Sequence, residues 1–328
     1  MELVCPAGNY QSLVKAMDNG ATAVYIGLKN ETNARHFSGL NFSDKQITKA
    51  IEYAHTRGCK VYCAINTYPR EAKWKTWTYS VDLVMELGID TLIVADTGVM
   101  DYIRQRSDDF PIHLSVQASA TNLQALNFYH QHFAIRRAVL PRVLSLAQVA
   151  KLAKTSPVEI EVFGYGSLCI MAEGRCYLSS YMTGESPNTQ GVCSPAAYVE
   201  WQNKGDILES RLNGLLIDRF GENENAGYPT LCKGRFKVNG KIEHALEEPT
   251  SLNTMNILPE LLKAKVAAIK IEGRQRSPAY VAKVTKAWRE AIDRAKLGLK
   301  ASQQAQEELA SLAEGKQTTI GAYDRSWQ

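Results

Sequence analysis

Long apolar runs are missing from this chain. No stretch of its 328 residues approaches the roughly 18 consecutive apolar residues that span a bilayer, so no membrane-spanning helix is expected. The N-terminus lacks a basic segment followed by an apolar one, which argues against a secretory leader. Both absences point to the cytoplasm, where structural disulfides are disfavoured and grouped cysteines serve as metal ligands or redox groups. An excess of one charge is missing too. The net charge of +4 does not by itself argue for nucleic acid or an anionic membrane as partner.

Several catalytic signatures are also absent. None of the six histidines, His36, His55, His113, His130, His132 and His244, belongs to an HExxH motif, and no serine sits in GxSxG. His130 and His132 are two apart near a helix end, where side chains do not share a face. A peptidase therefore has no visible nucleophile or metal-bound water. There is no GxxxxGKS/T loop, and the Gly164–Gly166 stretch lacks the third glycine of a dinucleotide fingerprint. No CxxC pair is present, which excludes the usual zinc finger and ribbon spacings.

What is present is alternation. Short apolar runs near residues 2–6, 23–28, 60–66, 90–95, 112–117, 137–140, 158–163 and 267–271 read as eight strands. Amphipathic helical patterns lie between them, several opened by Ser or Asn caps and closed by Gly. With 45% hydrophobic residues, the chain can fill one large core, and the pattern predicts a (β/α)8 barrel. Residues 1–163 supply seven β/α units and 164–249 break the pattern. Residues 250–300 supply the closing unit, and 301–328 form a C-terminal helix and an exposed tail. The break is rich in Gly, Ser, Asn and Thr, with a hairpin signal at Asn239-Gly240. Because it follows strand seven, it is expected to project over the barrel mouth, where chemistry gathers.

The break also holds four of the seven cysteines, spaced Cys169-x6-Cys176-x16-Cys193-x38-Cys232. Four thiolates complete a coordination shell for zinc or for a cubane iron–sulfur cluster, and the spacing leaves both open. Cys5, Cys59 and Cys63 lie in or beside apolar strands and read as core or wall residues. Polar residues follow the strand ends: Arg35 after the second, Asn66 and Tyr68 after the third, Asp96 after the fourth and Gln117 after the fifth. Arg142 follows the sixth, and Glu272 with Arg274 the eighth. In a barrel these converge on one mouth, where a group of arginines suits a carboxylate ligand. Trp74 and Trp77 beside Lys73 and Lys75 are the single basic–aromatic interleaving, a weak nucleic-acid signal.

The stretch Glu161-x-Phe163-x2-Gly166-Ser167-Leu168-Cys169-x4-Gly174-x-Cys176-x-Leu178-Ser179 resembles the signature of the collagenase-like peptidase family U32. The resemblance extends to Asn33-Ala34-Arg35 with Asn41-Phe42, to Ser115-Val116-Gln117-Ala118 with Thr121-Asn122, and to Lys270-Ile271-Glu272-Gly273-Arg274. It covers residues 1 to about 295. The compact length and Gly321-Ala322-Tyr323 with Trp327-Gln328 are most similar to the branch that serves oxygen-independent ubiquinone synthesis as a pair of paralogues. The resemblance implies a [4Fe-4S] cluster on Cys169, Cys176, Cys193 and Cys232, a heterodimer with the paralogue, and hydroxylation of a polyprenylated aromatic precursor. It further implies an oxygen donor other than dioxygen, with prephenate the family-level suggestion; the strand-end residues Arg35, Gln117, Arg142, Glu272 and Arg274 are the candidate substrate contacts. One departure stands out: many relatives have Leu-x-Arg-Glu-Leu-Ser after strand six, and here Val143 replaces the glutamate. Hydroxylation of RNA bases, peptidase action and a metal-braced scaffold are the alternative functions.

Overall fold

The computed structural model describes residues 1–36 and 39–324. Seven parallel strands come first: β1 (Glu2–Pro6), β2 (Ala23–Gly27), β3 (Lys60–Ile65), β4 (Thr91–Val94), β5 (Ile112–Leu114), β6 (Arg137–Val139) and β7 (Glu159–Ser167). The first six are each followed by a helix: α1 (Tyr10–Asp18), α2 (Asp44–His55), α3 (Trp74–Glu86), α4 (Thr97–Arg106), α5 (Leu123–Phe133) and α6 (Leu146–Thr155). Their starts are set by short polar side chains. Asn9 Oδ1 accepts from Ser12 N at 2.8 Å, and Asn122 Oδ1 from Ala125 N at 2.9 Å. Ser145 and Gln148 exchange bonds in a capping box. Asp96, a strand-end candidate for the mouth, caps α4 through Val99 N at 3.0 Å.

Beyond β7 the chain leaves this pattern. Two short helices, α7 (Leu178–Thr183) and α8 (Pro187–Gln190), precede an antiparallel sheet of β8 (Val199–Lys204), β9 (Ile207–Leu212) and β10 (Leu215–Phe220). A hairpin of β11 (Arg235–Val238) and β12 (Lys241–His244) follows, turning through Asn239 and Gly240 at positive φ, as the Asn-Gly pair predicts. Then come β13 (Ser251–Asn253), α9 (Leu258–Lys263) and β14 (Ala268–Ile271). β14 pairs in parallel with both β7 and β1 and closes an eight-stranded barrel. α10 (Pro278–Lys296) packs Trp288, fully buried, against the wall.

Three details differ from the sequence reading. β7 runs on to Ser167 because β13 pairs antiparallel with residues Tyr165, Gly166 and Ser167, above the barrel proper. The three-stranded sheet was not expected, although Asn213-Gly214 at its second turn, both at positive φ, is a hairpin signal of the same kind as Asn239-Gly240. The segment after α11 (Gln303–Leu312) is not an exposed tail. β15 (Thr318–Thr319) pairs with β13, and Tyr323 is buried. Trp327 and Gln328 lie outside the described residues.

The barrel wall divides its side chains by parity. Ile160, Val162 and Ile269 face outward into the main apolar core under the helices. Inside, Val4, Ala23, Tyr25, Tyr62, Ile93 and Ala268 form a separate small cluster. Beside them Glu161, Arg137 and Lys270 form a buried ion-pair network, with Lys270 Nζ 4.1 Å from the centre of the Tyr25 ring.

Candidate functional site

The β-strand ends bring four charged side chains together at the barrel mouth. Arg142, from the β6–α6 loop, donates to Glu173 Oε1 and Glu272 Oε2, both at 2.5 Å. Arg35, from the β2–α2 loop, reaches the other oxygen of Glu272 at 3.2 Å. The Arg142 guanidinium carbon lies 3.6 Å from the centre of the Phe163 ring, which closes its underside. The two carboxylates respond oppositely. Burial pushes Glu272 up, but Arg142 and Arg35 outweigh it and leave its pKa lowered. Glu173 is left raised by burial, against the pull of Arg142. Its Oε2 is buried with no hydrogen-bond partner, as is Arg142 Nε.

The other expected contacts sit around this group. Arg274 is buried away from it, donating to Asn33 Oδ1 at 3.1 Å, and burial lowers its pKa to about 10. It braces the β2–α2 loop, since Asn33 Nδ2 also donates to Leu28 O at 2.6 Å. Gln117 accepts from Tyr68 OH at 2.6 Å through its backbone carbonyl, and its side-chain Oε1 is buried without a partner. Asn66 Oδ1 accepts from Ala34 N at 3.0 Å, fixing the residue before Arg35.

Of the four candidate ligands, Cys169 lies within electrostatic reach of Arg142 and Glu173, and Cys193 of Arg35 and Glu272. Cys169, Cys176, Cys193 and Cys232 are all free thiols. Cys193 feels the charge of Cys232 and Cys176, Cys169 that of Cys193, and Cys232 that of Cys176. Burial raises the pKa of Cys169 and Cys232, against the pull of Arg142 on the first and of Lys233 on the second. Such thiols stay protonated until a cation replaces the proton. The donor set therefore fits a thiophilic centre in kind. Among the described residues, no group of three or more His, Cys, Asp or Glu side chains is arranged to hold a metal ion. Cys5 and Cys63 are buried in the wall and Cys59 is half-buried, apart from these four.

Four fastenings hold the cysteine segments down. Asn188 Nδ2 donates to Cys176 O at 3.0 Å, and Tyr228 OH to Ser194 O at 3.1 Å. Lys233, buried next to Cys232, donates to Thr250 O at 3.1 Å and pairs with Glu314 at 2.5 Å. The fourth is Gly191, whose carbonyl accepts from Arg35 and whose φ of 71° favours glycine. A Cβ there would stand 1.2 Å from Ala34 O. Gly191→Ala is expected to lift this segment off the β2–α2 loop, with a local cost of about 1–3 kcal/mol. Hydrogen exchange should speed up around residues 188–194 while the barrel strands keep their protection.

Glu173 and Lys233 escaped the sequence reading. Glu173 lies in the unspecified x4 gap of the signature, and only its position between two candidate ligands could have marked it. Lys233 was marked by nothing except adjacency to Cys232.

Among the described residues no helix is long and apolar enough to cross a membrane. The family model described as Peptidase family U32 matches residues 8–325. The chain is 32% identical over 316 residues to tRNA hydroxylation protein P of Escherichia coli, covering 90% of this chain and 69% of that protein. It is 29% identical to a collagenase of Porphyromonas gingivalis, covering 89% of this chain and 65% of that protein. It is also 28% identical to a 23S rRNA 5-hydroxycytidine synthase of Escherichia coli, covering 89% of this chain and 39% of that protein. The chain thus spans well under the full length of each of these relatives.

Proposed function

Since the chain belongs to Peptidase family U32, we propose that it is a UbiU-like subunit of an oxygen-independent hydroxylase in ubiquinone synthesis, paired as a heterodimer with the paralogue UbiV. Relatives named for tRNA and rRNA hydroxylation support a hydroxylation-related role for the chain. What supports the reading is the Arg35–Glu272–Arg142–Glu173 network at the barrel mouth, with the free thiols of Cys169 and Cys193 within its electrostatic reach. Cys169, Cys176, Cys193 and Cys232 would hold a [4Fe-4S] cluster, which supplies electron transfer or polarises an oxygen donor when bound. The chain's own residues give this place its character. Arg35 and Arg142 hold Glu272 and Glu173 in place, and Glu173 Oε2, without a hydrogen-bond partner, is placed to hold or release a proton. The substrate is a polyprenylated aromatic precursor, and the oxygen comes from a donor other than dioxygen, such as prephenate.

Anaerobic co-purification with UbiV tests the cofactor: about four iron and about four acid-labile sulfide per chain are expected, and a colourless protein with one zinc overturns the reading. Deleting the gene and growing cells without oxygen tests the pathway. Ubiquinone is expected to fall to traces while hydroxylated nucleosides persist. The names of the relatives favour a second reading, hydroxylation of an RNA base; intact ubiquinone with a missing hydroxylated nucleoside would select it.

A further inference from the structure

The cations near the mouth are not equivalent. Arg35 and Arg142 are already closed by glutamates, and Arg274 is buried against Asn33. A carboxylate ligand would have to displace Glu272 or Glu173 to reach the first two. Arg175 is different. It is exposed and makes no side-chain hydrogen bond or ion pair among the described residues. It lines a cavity of about 330 Å³ together with Ser119, Thr121, Ile170, Met171 and Ala172. That volume lies at the small end of ligand pockets, which run from about 300 to 1,000 Å³.

The cavity is formed between two segments locked to each other. One is the loop from Cys169 to Cys176; the other follows β5. Ser119 sits in the left-handed region, at φ 54° and ψ 37°, and its hydroxyl donates to Glu173 O. Gly174, at φ 82°, packs so tightly that a Cβ would be 2.1 Å from Gln117 O. A non-glycine residue held left-handed is a local cost that the surroundings must impose. The walls are therefore set before any ligand arrives. The tyrosines Tyr68 and Tyr129 lie within range of the Arg175 charge, which works against the rise that burial causes in their pKa values.

The lining sorts by chemistry. Ile170, Met171 and Ala172 offer an apolar wall, Ser119 and Thr121 offer hydroxyls, and Arg175 offers a planar fork suited to two-pronged carboxylate binding. We infer that this cavity is a subsite for a small ring-bearing carboxylate, with Arg175 as its anion contact. For what the ligand does, the inference rests on the hydroxylase reading: the carboxylate of the oxygen donor goes to Arg175, and the ring lies against the loop between the first two cysteines. Whether the cavity binds such a molecule is independent of that reading.

The test is calorimetric titration of the full chain with benzoate, and with benzamide as its uncharged counterpart. Benzoate is expected to bind, and benzamide much more weakly. Arg175→Gln is expected to weaken benzoate roughly tenfold to a hundredfold, the range for loss of a charge-assisted contact. Ala172→Trp, which keeps the cation and fills the space, is expected to abolish binding. Unchanged circular dichroism in each variant shows that the fold is intact. Three results overturn the inference: no benzoate binding by the unaltered chain, equal binding of benzamide, or loss of binding in Arg35→Gln but not in Arg175→Gln. None of these measurements reads iron or ubiquinone. A failed titration therefore leaves the hydroxylase reading standing, and an unaffected ubiquinone level leaves the subsite standing.

Discussion

Glu161→Gln is expected to lower the stability of the chain by about 3–5 kcal/mol, the usual cost of breaking a buried ion pair from one side. Glu161 is fully buried inside the barrel, with Lys270 at 2.8 Å on one oxygen and Arg137 at 3.2 Å on the other. Glutamine keeps the shape and removes the charge. Arg137 retains Glu2 and Glu159, each at 2.5 Å. Lys270 keeps the face of Tyr25 and a neutral amide oxygen in place of the carboxylate, so a buried ammonium loses its sole ion-pair partner among the described residues. At roughly 2–4 °C per kcal/mol for a large domain, the midpoint of thermal unfolding should fall by roughly 6–20 °C.

The pH dependence of the variant identifies the cause. Burial raises the Glu161 carboxyl, but Lys270 and Arg137 override it, so its folded pKa is lowered. Its contribution is therefore present above the ordinary carboxylate range and is lost as pH falls through the folded value. Lys270 is lowered by burial, against the pull of Glu161. In Glu161→Gln that pull is gone and Lys270 drops further. The unfolded chain then binds more protons than the folded one, and stability rises with pH across that window. The deficit should shrink as pH rises toward the ordinary lysine range and Lys270 loses its proton in the folded variant. A constant deficit, or one under about 1 kcal/mol, would contradict this account. Glu161→Leu combined with Lys270→Met should recover much of the loss, because a matched apolar pair avoids the desolvation of both charges.

Glu161 also shows how far the sequence can be read. It opens the family signature, yet nothing in the residues themselves says that it points into a barrel rather than at a ligand. Only the register of β7 against β6 and β14 decides that. Local features were readable because their causes are local. The caps at Asn9, Asn122 and Ser145 and the Asn239-Gly240 turn act within a few residues. Arg142 was readable as a mouth residue from its place after the sixth strand. Its partners were not, since Glu173 and Glu272 lie 31 and 130 residues away. Arg274 was grouped with Arg35 and Arg142 on the same logic. It separates from them because it turns toward Asn33, inside the β2–α2 loop. The C-terminal segment was missed for a related reason: the strand that β15 joins, β13, is itself only three residues long.

On the proposed cluster reading, Cys193→Ala is expected to abolish iron binding while leaving the barrel folded. Cys193 reaches solvent, yet it lies against the mouth network closely enough to feel Arg35 and Glu272. Removing one of four thiolates leaves an incomplete shell for a cubane cluster. The free energy of cluster binding, which is local folding free energy for the loops that carry the ligands, is lost with it. The barrel has its own support: strands β1 to β7 and β14 close on themselves around a core to which the cysteine loops contribute little. The cysteine loops are tied to that body by a few fastenings, Arg35 to Gly191 and Lys233 to Glu314 among them. Anaerobically purified Cys193→Ala should thus lack the broad visible absorption of the unaltered protein. It should keep its far-ultraviolet circular dichroism and show faster hydrogen exchange across residues 169–233. Cys63→Ala, made in the barrel wall, should behave in the opposite way, keeping its iron and losing stability. An unfolded barrel in Cys193→Ala would show that the cluster supports the whole chain. Undiminished iron in that variant would remove Cys193 from the ligand set.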